Sequence, residues 1–388
     1  NSQRVSSAAK PRKCRSCSTN DHTSMNFPSF LHTPLRCLAA ALLWGLFGLS
    51  ASARQTDVLR RVLLSHWGIA PHNFSGIAPL GNDRYALVSD KDTAAGFYVW
   101  HIEQDSVTGQ VMRVTDEGFR PHAVSAGAPQ PDYEGVAYEP AQARIWIADE
   151  ATQQIRAFAH SGQPTGDSLC IPAAVSASAI RPNRGFEALT FSPTDSLLWT
   201  ASEEPPRADP PSVGAAGSPS PATGGVIELL GFSPSGSLQR RVPYAIDPSA
   251  PSGIVRAHLN GVPALCALPD GSLLVLEREL LIPRRYLGSW CAVRLFRVSA
   301  QDLAAAETST HSPVRKQLLT RWITRLRCFR FDLANYEGLC PGRRLHDGRQ
   351  TLLCVSDAQG GAGRWFLRMR DTLRVIVLPS AADEAGVR

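Results

Sequence analysis

Acidic residues occur at matching places in a pattern that the sequence repeats. Three glutamates follow an aromatic residue and precede a small residue and an apolar run: Glu134, Glu187 and Glu337. Further acids close the second apolar runs: Asp90, Asp149 or Glu150, Glu203, Glu277 and Asp357. Carboxylates that a fold gathers together repel one another, and a hard divalent cation such as Ca²⁺, which binds oxygen ligands, relieves that repulsion.

The pattern that carries these acids occurs five times. Its copies begin at Phe74, Tyr133, Phe186, Val262 and Tyr336. Each copy has an apolar run, a turn rich in Pro, Asp, Asn or Gly, and a second apolar run, which together predict two antiparallel strands. A third strand is expected after each pair, at 96–102, 154–160, 225–232, 292–298 and 364–369.

Repeated antiparallel units of this kind predict an all-β fold, a single-domain β-propeller. The length of residues 54–388 accommodates six blades, so we expect a sixth blade in one of the long intervals, 204–262 or 279–336. A pair of β-sandwiches or a β-helix is the alternative topology. Helical signal is confined to one or two turns at 301–308.

The first strand of each propeller blade lines the axial channel, which suggests where the acids lie. A Glu repeated on successive first strands forms part of a ring, and acids that close the second strands emerge at one face. We therefore predict a metal site, with Ca²⁺ as the cofactor, built from Glu134, Glu187, Glu203, Glu277 and Asp357. Alternatively, these acids accept backbone hydrogen bonds, and a Glu before Gly latches neighbouring blades together.

The N-terminal residues differ from the rest of the chain. Residues 25–53 combine a basic flank, a short apolar run and an Ala-x-Ala ending, which are typical of a secretory signal peptide. Residues 1–24 are then an extension ahead of a start at Met25, and the propeller domain occupies 54–388. We expect export to the periplasm or the medium, with no membrane attachment after cleavage; a membrane anchor is the alternative.

Charge and cysteine content narrow the function classes. The formal net charge of +6 resides mostly in residues 1–53, and the remainder holds 34 basic and 33 acidic residues. This near balance gives no indication of nucleic-acid binding. No Cys-x-x-Cys pair follows residue 53, and Cys340 and Cys354 either form a disulfide or stay buried as thiols.

One segment cannot contribute to a core. Residues 205–225 consist mainly of Pro, Gly, Ser and Ala, a composition that indicates a flexible insertion. It follows Glu203 and Glu204 directly, so it leaves the domain near the predicted acidic face. It is either a tolerated surface loop or a lid.

Three motifs in order resemble one protein family. They are NRGFEALTFSPTDSLLWTASEEP (183–205), LPDGSLLVLERE (268–279) and NYEGLC with DGRQTLLCVSD (335–357). Their order and spacing resemble those of phytase-like proteins, a family described by an esterase-like activity of phytase. No Gly-x-Ser-x-Gly elbow, His-Glu-x-x-His motif or phosphate-binding loop competes with this resemblance.

The resemblance implies an exported β-propeller that hydrolyses a small-molecule phosphoric or carboxylic ester, and we expect a monomer. The catalytic residues that it indicates are Glu187, Glu337 and Arg278. Substrate binding is assigned to Asn183, Arg184 and Arg181, since arginine binds phosphate bidentately. Two other classes stay open: a non-catalytic propeller that binds a partner, and a sugar-processing enzyme with paired carboxylates.

Overall fold

Five antiparallel sheets account for nearly all of the regular structure in this computed structural model. The structure describes residues 55–90, 92–124, 127, 129–173, 185–206, 224–249, 255–307, 312–328, 330–358 and 369–380. The expected signal segment, residues Arg181, Asn183 and Arg184, and most of the 205–225 insertion lie outside the described residues.

Each sheet is one propeller blade, and four blades are continuous in sequence. Blade 1 contains β3 (Phe74–Gly81), β4 (Arg84–Ser89), β5 (Gly96–Gln104) and β6 (Val111–Pro121). Blade 2 contains β7 (Tyr133–Glu139), β8 (Arg144–Asp149), β9 (Gln154–Phe158) and β10 (Pro164–Ser168). Blade 3 contains β11 (Phe186–Ser192), β12 (Leu197–Ser202), β13 (Val226–Phe232) and β14 (Leu238–Ala245). Blade 4 contains β15 (Val255–Ala267), β16 (Leu273–Pro283), β17 (Trp290–Val298), β18 (Gln317–Arg327) and β19 (Arg330–Phe331).

The fifth blade joins the two ends of the domain. Its first three strands are β20 (Asn335–Arg344), β21 (Gln350–Asp357) and β22 (Thr372–Val377). The outer positions are taken by β1 (Asp57–Val58) and β2 (Val62–Leu63), which both pair with β22. A short 3₁₀ turn (Leu64–Trp67) and helix α1 (Ala300–Glu307) complete the described elements. Pairing of the first strands with the last blade closes the ring non-covalently.

The prediction of six blades is wrong, because the described strands already form a closed ring of five. The inner strands contact one another in the order β3, β7, β11, β15, β20 and back to β3. Five separate hydrophobic clusters fill the five interfaces between blades. The long intervals instead hold outer strands: β13 and β14 follow the 205–225 insertion, and β17, α1, β18 and β19 follow Glu279.

Burial explains why the repeats have their apolar character. The second strand of a blade is covered on both faces by neighbouring blades, so β8 and β12 are buried along their whole length. Outer strands face solvent on one side, and β14 alternates between buried and more exposed residues. The apolar runs in the sequence are therefore the first and second strands of the blades.

The packing of the five blades also shows whether Cys340 and Cys354 can form a disulfide. Cys340 lies in the cluster between blades 5 and 1, whereas Cys354 lies in the cluster between blades 4 and 5. The two thiols therefore point to opposite faces of one sheet and stay unpaired. None of the helices in the described ranges is both long and apolar enough to cross a membrane.

Candidate functional site at the channel mouth

A β-bulge recurs near the start of every inner strand. The register with the second strand shifts between Phe74 and Gly76, and it shifts in the same way at the matching positions of blades 2, 3 and 5. In blade 4 it shifts between Gly261 and Ala264. The extra residues are Ser75, Glu134, Glu187 and Glu337, with Pro263 in blade 4. A bulge turns one side chain out of the normal alternation, and these five residues all line the axial cavity.

Small residues after the bulge let the inner strands approach closely. A Cβ atom on Gly135 would lie 2.4 Å from the Glu187 carbonyl oxygen, and one on Gly76 would lie 2.7 Å from the Glu134 carbonyl oxygen. Such contacts are too short for any residue with a side chain. The recurring Glu-Gly pair therefore sets the width of the channel as well as placing a carboxylate in it.

Seven carboxylates gather where this cavity opens, and we name them the axial acid cluster. They are Asp90, Asp132, Glu134, Glu150, Glu187, Glu203 and Glu337. The opening is the channel mouth, where the inner strands begin and the second strands end: Phe74 pairs with Ser89 and Tyr133 with Asp149. The lumen below has room for about one water-sized group. A larger ligand therefore cannot occupy this part of the lumen.

One part of the cluster, the carboxylate triad, consists of Asp90, Asp132 and Glu134. One carboxylate oxygen from each lies within 4.8 Å of the others. Burial raises the pKa of Glu134 well above its usual value, and Glu337, Asp90 and Asp132 raise it further. The charged groups that act most strongly on Glu134 are thus all carboxylates. Oxygen donors so arranged fit a hard divalent cation.

The other part, the arginine centre, is built around Arg278 on β16. Its Nη1 donates to Asn335 Oδ1 at 2.7 Å and to Glu337 Oε1 at 3.0 Å. Its Nη2 donates to Glu203, and Glu187 Oε2 lies 3.9 Å from the same nitrogen. The Arg278 side chain is only 2% exposed. Because both of its Nη nitrogens bind carboxylates of blades 3 and 5, Arg278 holds these groups in place.

Glu187 and Glu337 lie between these two parts. Burial, with Glu203 and Glu134, raises the pKa of Glu187 well above its usual value, against the lowering effect of Arg278. Burial likewise raises the pKa of Glu337 to about 7, although Arg278 opposes the shift. Glu337 can therefore carry a proton near neutral pH, and Glu187 keeps its proton to a higher pH than an ordinary Glu does.

The structure separates one predicted ligand from the rest. Glu277 is fully buried and accepts from the Tyr244 hydroxyl at 2.8 Å and from the backbone amide of Asp247 at 3.2 Å. Lys316 also donates to it at 2.5 Å. This network lies between blades 3 and 4 and not with the axial acid cluster. Asp357 is also fully buried and is the register partner of Asn335, next to the arginine centre.

Sequence reasoning found the three ring glutamates but missed one member of the triad. The structure brings Glu134, Glu187 and Glu337 to one axis, with Glu203 and Arg278 beside them. Asp132 was missed because it precedes its strand and has no counterpart in the repeats. Its position two residues before Glu134, in the run Asp-Tyr-Glu-Gly, is the only signal that could have suggested it.

Several polar contacts at the mouth join adjacent blades. Ser75 Oγ donates to the Tyr133 carbonyl at 2.7 Å, between blades 1 and 2. Glu150 accepts from the Gly185 amide at 2.7 Å, just before blade 3. Asp371 accepts from the His72 amide at 3.0 Å, which links blade 5 to the segment before blade 1. Together with Arg278, these contacts act as latches around the ring.

The family of the chain follows from its sequence. A family model described as "Phytase-like: Esterase-like activity of phytase" matches residues 70–358. The chain therefore belongs to the phytase-like family, as the three motifs indicated. The match spans the described strands from blade 1 to β21 and includes the axial acid cluster. No curated protein matches the chain.

Three solved structures resemble the chain at low identity. A member of the DUF4221 family from Bacteroides vulgatus is 9% identical, with a TM-score of 0.38, and the match covers 85% of this chain and all of that one (100%). The U3-55K structure is 11% identical with a TM-score of 0.37 over 84% of this chain and 98% of that chain. The nidogen/laminin complex is 9% identical with a TM-score of 0.36 over 82% and 80%. Scores this low establish nothing about function.

Proposed function

We propose that this phytase-like propeller is an exported, metal-dependent hydrolase that cleaves small phosphoric or carboxylic esters at the channel mouth. The observation that supports this most is the carboxylate triad. Its three oxygens converge beside carboxyl groups of raised pKa, and the charged groups that act most strongly on Glu134 are carboxylates. Closely spaced carboxylates repel one another, and a proton or a cation between them relieves that repulsion.

The chain's own residues divide the work in this proposal. Asp90, Asp132 and Glu134 hold the cation, for which Ca²⁺ is our choice because all donors are hard oxygens. When bound, such a cation supplies positive charge to the ester's oxygen and lowers the pKa of a bound water. Glu187 and Glu337 accept and return the proton, since their raised pKa values lie closer to neutrality than an ordinary Glu.

Arg278 is a positioning residue in this scheme. Its side chain is buried and hydrogen-bonded to Glu337 and Glu203, so it fixes the proton-carrying carboxylate. The positive charge that binds a substrate phosphate therefore has to come from other residues. Arg181 and Arg184, with Asn183, remain the proposed groups for that role.

The test uses full-length processed protein with p-nitrophenyl phosphate and p-nitrophenyl acetate, with added Ca²⁺ or EDTA. We expect turnover that EDTA abolishes and Ca²⁺ restores. Glu134→Gln and Asp132→Asn should lose the Ca²⁺-dependent part by at least about 100-fold, as when one catalytic electrostatic group is removed. Glu228→Gln is the matched control, because Glu228 is paired with Arg241 on the exposed surface of blade 3.

Absence of Ca²⁺-dependent turnover of either ester, together with no thermal shift on adding Ca²⁺, would rule the proposal out. Residual acetate hydrolysis that survives both triad variants would count as nonspecific surface reaction. Mg²⁺, Mn²⁺ and Zn²⁺ are tested in parallel, so that the choice of Ca²⁺ and the metal dependence are judged separately.

A non-catalytic binding propeller is the second candidate, and the latches favour it. Glu203 and Glu337 bridge blades 3, 4 and 5 through Arg278, which is a complete structural use for two of the acids. In that case Glu187→Gln changes the unfolding free energy and has no activity to remove. A stably folded Glu187→Gln protein that has lost ester turnover would decide for the enzyme.

A further inference from the structure

Blade 4 extends further than blades 1, 2 and 3 at the mouth end of the propeller. Its second strand, β16, has 11 residues, whereas β4, β8 and β12 have 6 each. The pairing of β15 with β16 continues from Gly261 and Arg278, at the arginine centre, to Val255 and Pro283. At about 3.3 Å per residue, this extra length of strand spans roughly 16 Å. The hairpin turn at 284–288 therefore projects beyond the axial acid cluster.

The sequence around this projection is rich in basic residues. Residues 280–301 contain four arginines, and residues 308–331 contain five arginines and one lysine, but neither stretch contains an Asp or a Glu. Residues 54–388 as a whole are nearly balanced, with 34 basic and 33 acidic residues. Positive charge is thus concentrated in the outer strands and loops of blade 4.

The structure brings five exposed arginines to the projecting end of this blade. They lie in the turn, beside it on β15 and at the end of β18: Arg284, Arg285, Arg256, Arg325 and Arg327. The Gly288 amide donates to the Leu326 carbonyl at 3.0 Å, which joins the turn to β18. We name the turn 284–288 together with Arg256, Arg325 and Arg327 the basic tip.

None of these five arginines forms an ion pair with an acid that the structure describes. Asp332 donates its backbone amide to the Arg325 carbonyl at 3.2 Å, but its carboxylate pairs with Arg61 at 2.7 Å. Glu279, the last acid on β16, contacts Ser249 and His258. The arginines therefore keep guanidinium N–H groups for an external anion.

Two apolar side chains stand among the arginines in the turn. Tyr286 is 37% exposed and Leu287 is 49% exposed. Tyr286 has a φ of 63°, a left-handed conformation that is uncommon for a residue with a side chain. Its carbonyl accepts from the Ser289 amide at 3.0 Å, and the Arg256 guanidinium lies 4.9 Å from its ring centroid. These contacts hold the turn in a conformation that exposes Leu287.

We propose that the basic tip docks the protein on an anionic phospholipid surface. Its arginines bind lipid phosphates, Leu287 enters the boundary between headgroups and acyl chains, and Tyr286 lies at the level of the headgroups. An exposed leucine would stay in water on a soluble polyanion such as a nucleic acid, so the combination of arginine and leucine favours a lipid surface. Because the basic tip and the axial acid cluster lie at the same end of the propeller, docking turns the channel mouth towards the lipid.

This inference does not rest on the proposed hydrolase activity. It departs from the expectation of no membrane attachment after cleavage, which concerned residues 25–53 alone. Arginine keeps its charge at any physiological pH, so the docking should respond to salt and to lipid charge.

The experiment measures co-sedimentation of the full-length processed protein with sucrose-loaded vesicles. EDTA is present, so that no cation links the channel mouth to a lipid phosphate. Vesicles of phosphatidylcholine alone are compared with vesicles that also contain phosphatidylglycerol. We expect at least about 100-fold tighter binding to the anionic vesicles, because each basic residue near an anionic surface contributes about 5-fold, and loss of that binding in about 0.5 M NaCl. Equal binding to both kinds of vesicle would overturn the proposal.

Variants locate the contact. Combined Arg284→Gln and Arg285→Gln should weaken binding to the anionic vesicles about 25-fold, and Leu287→Ser should weaken it about 10-fold. Arg113→Gln and Val226→Ser are the matched controls and should change nothing. Arg113 is an exposed arginine of blade 1, and Val226 of blade 3 is 49% exposed, like Leu287.

Soluble polyphosphate, added in place of vesicles, tests the competing partner. Polyphosphate binding as tight as vesicle binding, with no loss in Leu287→Ser, would assign the basic tip to a soluble polyanion and reject a lipid surface. Vesicle binding that is unchanged in the double arginine variant would place the contact elsewhere and also reject the proposal. Near-UV circular dichroism confirms that each variant is folded.

Discussion

Both parts of the channel mouth contain glutamate side chains, but these side chains have neighbours of opposite charge. In the arginine centre, Glu203 and Glu337 share one guanidinium, and Asn335 donates to Glu337 at 2.5 Å. In the carboxylate triad, Glu134 has other carboxylates as its strongest charged neighbours. Position in the repeat is nearly identical for Glu134 and Glu337, since each occupies the bulge of an inner strand.

This difference shows that a nearby positive charge, rather than the position in the repeat, determines what each acidic side chain does. Blade 4 has no Glu at its bulge, and its second strand supplies Arg278. That one residue converts its neighbours in blades 3 and 5 into latches. Arg278 is not among the groups that act most strongly on Glu134 of blade 2, whose carboxylate neighbours favour a bound cation.

Removing the countercharge should have the largest effect on stability. Arg278→Met leaves Glu203, Glu187 and Glu337 buried beside one another, and we expect the unfolding free energy to fall by about 3–5 kcal/mol. Urea denaturation at pH 7 measures the loss. Arg241→Gln removes an exposed ion pair and should change the same quantity by less than about 1 kcal/mol.

A smaller loss is expected when one latch is removed and the arginine stays. Glu203→Gln replaces a charged acceptor of Arg278 by a neutral one, while Glu337 and Asn335 keep their contacts. We expect destabilisation of about 2 kcal/mol by urea denaturation. A Glu203→Gln protein as stable as wild type would show that Glu203 is not a latch.

Much of the fold could be predicted from the sequence because the first and second strands of each blade are recognisable as apolar runs. Runs such as 197–201 are buried on both faces, so they are apolar throughout, and the helix at Ala300–Glu307 matched its expected place. Blade number could not be predicted in this way. Outer strands such as β14 and β18 alternate and are partly exposed, so they were counted as room for another blade.

The ring glutamates were predictable because they repeat, whereas their partners do not. Asp132 lies just before a strand, and nothing local distinguishes it from an ordinary turn residue. The repeats also placed Glu277 with the other closing acids. In blade 4 the bulge lies opposite this residue, between Gly261 and Ala264, and Glu277 instead contacts Tyr244 and Lys316. A register shift of one residue is invisible in the pattern of apolar runs.

In the carboxylate triad, the same substitution should have the opposite sign. Glu134→Gln removes one repelling charge, so we expect the metal-free protein to gain about 1 kcal/mol at pH 7. The same change removes a proposed ligand, so Ca²⁺ should raise the melting temperature of wild type and not that of the variant. Equal Ca²⁺ stabilisation of both proteins would contradict the metal assignment.

The pH dependence of that gain is the finest test of the comparison. Glu134 has a folded-state pKa raised above its unfolded value, so its contribution to stability is complete below about pH 4.3 and is lost as the pH rises. Gln does not titrate, and Glu187 and Glu337 are present in both proteins. The advantage of Glu134→Gln should therefore vanish near pH 4 and grow, by at most about 1.4 kcal/mol per pH unit, until the pH reaches the folded-state pKa of Glu134. Glu203→Gln is the comparison, because it loses a contact with Arg278 instead of a repelling carboxylate. Urea denaturation of the three metal-free proteins from pH 4 to 7 measures these slopes, and a pH-independent difference for Glu134→Gln would mean that its carboxyl group is not perturbed by the triad.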